Sequence, residues 1–379
     1  MERTILILID ALGFELAERH RFQPAHLDTR ARLRTVLGFS QAALTSIFTG
    51  CPPVEHGLWM MYAFSSRRSP FSFLDLLPAN VSLDRLWLRR LVNWKLRRVD
   101  GISAYYSLYR VPRGVIRHLD LPARNDLFAP RGGGRAPTIV DELYQRDIPV
   151  FVRDYRTPEA IAFDELEREV GGDGAPFCIL YTAGLDSDLH RYGSADDRIG
   201  DHLAWYGKRI GAVHAIAPDA RIIVMGDHGM CDVSSHIDLI PMVESLGLSV
   251  PDDYVPFYDS TMARFRTHSA HTQSILERRL SGISGGNLLD HGDRERLGIH
   301  LPGDRFGDVV FLADPGVIIL PSFMSADPVR GMHGYHPDTP GMDSILLTNA
   351  VDAGDPRTIC DVAAWLVPGF EPAGGRERR

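Results

Sequence analysis

Ile222-Ile223-Val224-Met225-Gly226-Asp227-His228-Gly229-Met230 joins a short apolar run directly to Asp-His-Gly. A β-branched and aliphatic run of this length reads as a buried strand, and Gly226 ends it. In open α/β sheets, functional groups gather at the carboxyl ends of strands. An aspartate and a histidine side by side there offer a cation one hard oxygen and one imidazole, a mix that suits zinc. The same residues also suit a turn in which the aspartate caps a helix and the histidine faces water. The choice depends on whether other strand ends in the chain finish the same way.

They do. Residues 4–9 form a continuous aliphatic run, the pattern of a central strand buried on both faces, and Asp10-Ala11-Leu12-Gly13 follows. Asp10 is placed either as a metal-site carboxylate or as a helix N-cap. Residues 176–181 read as another buried strand and run into Gly184-Leu185-Asp186-Ser187-Asp188-Leu189-His190. Asp186 and His190 are four apart, so on a helix they face one side and can share a cation or simply pair with each other. Ser40 stands where a helix begins, before a helical stretch that Gly50 stops. Its side chain suits an N-cap. It also suits a nucleophile, since free backbone N–H groups and the helix dipole favour an incoming phosphoryl group. His333 lies in the glycine-framed loop Gly331-Met332-His333-Gly334-Tyr335-His336-Pro337.

Between these points the pattern gives a short strand at 34–37, a helix at 137–145, a strand at 148–152 and a long amphipathic helix from about 196 to 217. Strand and helix alternate from 137 to 228, which argues for a doubly wound, mostly parallel α/β sheet flanked by helices. Beyond Cys231 the rhythm changes. One strand is expected at 254–266, a helix at 271–280, a hairpin at 309–320 around Asp314-Pro315-Gly316, a last strand at 344–349 and a closing helix at 358–366. The catalytic core is therefore expected in 1–59, 136–234 and 326–370. A first cap insertion would occupy 60–135, a second, small α+β insertion 235–325, and a disordered charged tail 371–379. Gly132-Gly133-Gly134 reads as a flexible joint. Residues 85–98 read as a basic helix carrying Trp87 and Trp94, either a cap helix with solvated arginines or a surface for an anionic or lipid-linked substrate.

The chain has 379 residues with a formal net charge of −8, which gives no bulk-charge case for nucleic-acid binding. Its four cysteines are far apart and show no CxxC spacing, unlike a disulfide framework or a cysteine zinc site. The apolar run at 5–9 is too short for a signal segment, and no run approaches the roughly 20 apolar residues that span a bilayer. The expectation is a cytoplasmic protein that does not cross a membrane. Taken together, Asp10, Asp186, Asp227, His190, His228 and His333 supply three carboxylates and three imidazoles. That set is enough for two zinc ions with open positions for chemistry.

With those residues in order, the sequence resembles the alkaline phosphatase superfamily, and within it the nucleotide pyrophosphatase and type I phosphodiesterase branch. The resemblance rests on Ile9-Asp10-Ala11-Leu12-Gly13; on Ser40 with Thr49-Gly50 and His56-Gly57; on Asp186, His190 and Gly193; on Asp227-His228-Gly229-Met230; and on His333-Gly334-Tyr335. It implies an alkaline-phosphatase-like fold and a two-zinc phosphoric ester hydrolase, with manganese or iron suited to the same ligands. Asp10, Asp227 and His228 would hold one ion, which also contacts Ser40; Asp186, His190 and His333 would hold the other. Ser40 would be the nucleophile of a phosphoseryl intermediate.

The chain departs from the branch where Ser40 is followed by Gln41-Ala42-Ala43 in place of aromatic-Pro-Asn, so Gln41 would have to take over a phosphoryl contact. Leu185 and Leu189 also replace the usual Pro and Gly before Asp186 and His190, and His336-Pro337 replaces Asp-Asn. The expected substrate is a small-molecule phosphodiester, with a lipid- or glycan-linked ester as one form. The alternatives are a phosphomonoesterase or phosphoryl-group transferase, with Arg153 balancing the dianion, and a non-catalytic metal-bound module.

Overall fold

The computed structural model describes residues 3–66, 68–77, 85–350 and 354–373. Its centre is a six-stranded sheet of β1 (Thr4–Ile9), β2 (Thr29–Leu33), β3 (Val150–Arg153), β4 (Phe177–Thr182), β5 (Arg221–Met225) and β6 (Ser344–Thr348). The spatial order is β2-β6-β5-β1-β4-β3. β3, β4, β1 and β5 run parallel, and β6 is antiparallel to both β5 and β2.

The reason for two helical layers is legible in β1. Every residue from Ile5 to Ile9 is at most 1% exposed. Ile5, Ile7 and Ile9 face a core closed by the helices Glu159–Val170, Gly184–Tyr192 and Asp197–Ile216. Leu6 and Leu8 face the opposite core, closed by Ser40–Thr49, Ile139–Gln145 and Val362–Leu366. Successive side chains of a strand point to opposite faces, so a strand apolar at every position needs cover on both.

The described residues of 60–135 and 235–325 supply no strand to this sheet. They pack on each other: Tyr62, Phe71, Leu88, Val92 and Leu119 share one cluster with Tyr254, Phe257, Phe265, Leu276 and Phe311. A four-stranded sheet backs this cluster, in the order Tyr254–Tyr258, Met262–Thr267, Val309–Ala313, Gly286–Leu288. Arg264 ties the two segments together. It is 1% exposed, and its Nη1 donates to the carbonyls of Tyr62 (3.0 Å) and Phe306 (3.4 Å).

Several local expectations are corrected. The second strand is Thr29–Leu33, not 34–37; Arg34 makes only an isolated bridge to Thr358. The stretch 254–266 is two strands turned at Asp259-Ser260-Thr261. The stretch 309–320 is no hairpin: Val309–Ala313 pairs with Met262–Thr267 and Gly286–Leu288, while Val317–Ile319 pairs in parallel with Ser235–Ile237. Gly132-Gly133-Gly134 is close-packed rather than a free joint. A Cβ on any of the three would lie within 2.5 Å of a backbone oxygen. Of the expected tail, residues 374–379 lie outside the described residues; Pro372 packs against Gly50.

Close backbone approach holds the turn after β5. A Cβ on Gly229 would sit 1.9 Å from the carbonyl oxygen of Gly341, and Gly229 N–H donates to Met342 O at 2.9 Å. Gly229→Ala must push these segments apart beside His228. The expected cost is at least about 2 kcal/mol of unfolding free energy, read by urea denaturation. A variant as stable as the native chain would show that the turn is not tightly held.

Candidate active site

Three adjacent strands, β5, β1 and β4, deliver the site. Asp10 immediately follows β1, Asp227 and His228 follow β5, and Asp186 and His190 lie on the helix Gly184–Tyr192 that follows β4. His333 comes from the loop after the short strand Gly331–Met332. The described side chains form two groups whose ligand atoms lie within 4.8 Å of one another: Asp10, Asp227 and His228, and Asp186, His190 and His333. The rings of His228 and His333 stack at 3.9 Å, so the two groups share a wall.

The capping alternatives fail at each position. Gly13 is the N-cap of the helix after β1, and Asp10 caps nothing. Phe39 is the N-cap of the helix that starts at Ser40. The Ser40 Oγ instead lies 3.1 Å from His228 Nε2 and 3.4 Å from Asp10 Oδ1. No helix follows Asp227; its Oδ1 accepts from the backbone N–H of Ala11 (3.2 Å) and of His228 (2.9 Å). Asp186 and His190 pair at 3.3 Å but are not a surface pair, since Asp186 also faces His333 at 3.6 Å.

Backbone carbonyls orient two of the imidazoles. His190 Nδ1 lies 2.8 Å from Gly331 O, and His228 Nδ1 lies 3.0 Å from Gly229 O. A ring nitrogen that donates to a carbonyl leaves Nε2 as a lone pair, and in both residues that Nε2 faces the aspartates. Tyr181, the fifth residue of β4, donates its hydroxyl to Asp10 Oδ2. Sequence reasoning missed Tyr181; a tyrosine within an otherwise aliphatic strand end was the available signal.

The electrostatics call for a cation. Burial, then the Asp227 charge, pushes the Asp10 carboxyl up to about 7. Burial pushes Asp227 up to about 7 and Asp186 up to about 6, and drives His333 well below its ordinary value. Asp227 Oδ2 and Asp186 Oδ1 are buried without a hydrogen-bond partner. Two like charges at about 5 Å repel by about 3 kcal/mol at an effective dielectric constant near 20. The donor set of carboxylate oxygens and neutral imidazoles fits divalent cations.

A cavity of about 390 Å³ opens on these groups. Ser40, Gln41, Asp10, Asp186, His190 and His333 lie at its polar end; Tyr105, Tyr109, Phe128, Tyr155, Met61 and Met324 are among its apolar walls. Neither lysine nor arginine lines it among the described residues. Arg153 is not there: its guanidinium pairs with Glu165 and donates to Val152 O at 2.7 Å. Gln41 is there, in the first turn of the Ser40 helix.

The fold and the site together define a metal-dependent α/β hydrolase of the alkaline phosphatase type. A family model described as type I phosphodiesterase / nucleotide pyrophosphatase matches residues 4–336, and the chain belongs to that family. A comparison with curated proteins finds no match. Among solved structures, it resembles human ectonucleotide pyrophosphatase / phosphodiesterase 5 (TM-score 0.67, 12% identity, 96% of this chain and 94% of that one). It also resembles an inactive murine form of that protein in complex with AMP (TM-score 0.66, 14% identity, 97% and 94%). A third is phosphonoacetate hydrolase from Sinorhizobium meliloti 1021 in complex with phosphonoformate (TM-score 0.62, 15% identity, 96% and 95%).

Asp227→Asn keeps an oxygen for the Ala11 and His228 amides and removes one negative charge. In chelator-treated protein it is expected to melt at or above the native temperature. The gap should widen as pH rises from about 4 towards 7. Over that window the native carboxyl, held protonated up to about 7, loses the stability that its raised value confers. Zinc should raise the melting temperature of the native chain by several degrees and that of the variant much less. Equal zinc shifts in a thermal scan would remove Asp227 from the ligand set.

Proposed function

We propose that this chain hydrolyses phosphodiesters of small molecules through a phosphoseryl intermediate on Ser40. The observation that carries the reading is the placement of Ser40: a first-turn hydroxyl freed from capping and aimed at Asp10 and His228. Asp10, Asp227 and His228 would hold one divalent ion and Asp186, His190 and His333 a second, with zinc the best match to this mixture of ligands. Such ions supply positive charge that lowers the pKa of the Ser40 hydroxyl and offsets charge on the leaving oxygen.

The rest falls to the chain itself. The Ser40 Oγ gives up its proton and forms a bond to phosphorus as the bond to the leaving oxygen breaks, and that oxygen departs protonated as an alcohol. Water then cleaves the Ser40–phosphorus bond, returning a proton to Ser40 and releasing the phosphate monoester. The N-terminus of the Ser40 helix would favour the charge on the phosphoryl oxygens. Gln41, beside it, is in position to donate from its side-chain amide. Tyr181, whose hydroxyl is kept protonated by burial and by the Asp10 charge, holds Asp10 in place.

The preference for diesters follows from charge. A monoester brings a dianion, and sites that take one normally add a guanidinium or ammonium partner. The described cavity lining has none, which supports the diester over the monoesterase alternative. Its aromatic walls suit a flat or aliphatic leaving group, and an AMP-like group or a lipid-linked ester would each fit that chemistry.

Ser40→Ala should lower turnover by at least about a thousandfold while leaving metal content unchanged. Metal analysis beside the rate assay separates loss of the nucleophile from loss of the ions; substantial residual activity would rule out the covalent route. Bis-p-nitrophenyl phosphate should be cleaved with a kcat/KM at least about tenfold above that for p-nitrophenyl phosphate. The reverse order would promote the monoesterase reading.

A further inference from the structure

The helix Leu86–Arg98 has two apolar faces and uses one. Leu88, Val92 and Leu96 point inward and are fully buried in the cluster formed by residues 60–135 and 235–325. Trp87, Leu91 and Trp94 lie on a different face, 51%, 39% and 58% exposed. At 100° per residue these three fall within a narrow arc, and Arg98 falls inside the same arc. Arg90 and Arg97 border it on one side. Arg85, Arg90 and Arg98 form no ion pair among the described residues, whereas Lys95 is tied to Asp100 and to Pro70 O, both at 2.7 Å.

Folding does not account for this face. Exposed apolar side chains are common singly, but two tryptophans and a leucine in one patch mark an interaction site. The surrounding charge identifies the partner. The chain carries a net charge of −8, yet the 13 residues of this helix contain four arginines, one lysine and no acid. A basic helix with a tryptophan and leucine face matches the interfacial zone of an anionic bilayer, where the rings sit at headgroup depth and the arginines meet lipid phosphates. No described helix is long and apolar enough to cross a membrane.

We infer that the Trp87–Leu91–Trp94 face of this helix docks the protein on an anionic lipid surface. The helix is linked to the cavity. Arg97 lies over the ring of Tyr106 at 5.2 Å, and the neighbouring Ala104 and Tyr105 line the cavity that holds Ser40. Docking there would bring the segment that lines the cavity close to a membrane. This deepens the phosphodiesterase reading by pointing to a lipid-linked diester, but the docking itself stands apart from catalysis.

The test uses the full-length, zinc-loaded protein sedimented with vesicles of phosphatidylglycerol and phosphatidylcholine, and with vesicles of phosphatidylcholine alone. Binding is expected to the anionic vesicles at low salt and to fall at high salt. Trp87→Ala with Trp94→Ala, and separately Arg90→Glu with Arg98→Glu, should each weaken it by about tenfold or more. Turnover of bis-p-nitrophenyl phosphate in solution should match the native chain in both variants. Binding by a chain inactive on soluble diesters would uphold docking and sink the diester reading; activity without vesicle binding would do the opposite. Vesicle binding that both variants retain overturns the assignment of this face. So does a tryptophan pair whose loss disrupts only self-association in lipid-free ultracentrifugation, since the face would then be a contact between copies.

Discussion

Three carboxyl groups and two imidazoles at the ends of three neighbouring strands meet a third imidazole, His333, from a separate loop, largely out of water, and much of the surrounding core serves that crowding. Burial keeps solvent from screening the aspartates. Without a cation their charges drive up one another's affinity for protons, and the His333 ring is held neutral. Such a cluster is costly to assemble unless something positive completes it. The sheet makes it possible because β5, β1 and β4 are held in register by parallel pairing and by apolar cover on both faces. Their ends cannot splay apart to relieve the repulsion.

The cluster also accounts for details that look incidental. Gly229 is a glycine because the chain carrying Asp227 and His228 passes against the Gly341 backbone. Two carbonyls, from Gly229 and Gly331, each take one nitrogen of a histidine and so fix which nitrogen remains for a ligand. Tyr181 gives Asp10 a neutral donor, which steadies the carboxylate without adding a competing positive charge. Ser40 adds its hydroxyl to the group that includes Asp10 and His228, where a helix N-terminus already favours an anion.

How much of this was legible in the sequence follows from the same physics. β1 and β5 were plain because burial on both faces demands an unbroken apolar run. The six grouped side chains stood out because packing alone rarely sets a carboxylate or imidazole just beyond such a run, and the structure brings all six together. β2 was not, because Thr29–Leu33 is an edge strand, partly exposed and carrying two arginines, so its composition resembles a loop. The turn at Asp259-Ser260-Thr261 was hidden by the aromatic and apolar residues on both sides of it. Arg153 ends a strand, close to where the grouped acids and imidazoles stand, but a lone arginine answers to whichever acid is nearest, and the neighbouring helix offers Glu165. The cavity walls were the least legible part, since Tyr105, Tyr109 and Met324 come from inserted segments whose periodicity is weak and whose packing partners are distant in sequence.

That division assigns the chemistry and the selectivity to different parts of the chain. On the proposed function the sheet ends would carry the phosphorus chemistry, with residue types constrained by charge and by the metal they would hold. Residues 60–135 and 235–325 supply much of the cavity lining. They wall the cavity with aromatic and sulfur-bearing side chains and bring no cation to it among the described residues. A site built this way gains little from a second negative charge on its substrate. It gains instead from an apolar body that displaces water from Tyr105, Phe128 and Tyr155 while the phosphate meets the cluster. On the proposed function, binding energy from that remote body would hold the phosphorus in line with Ser40, and a second ester group on the phosphate would aid catalysis.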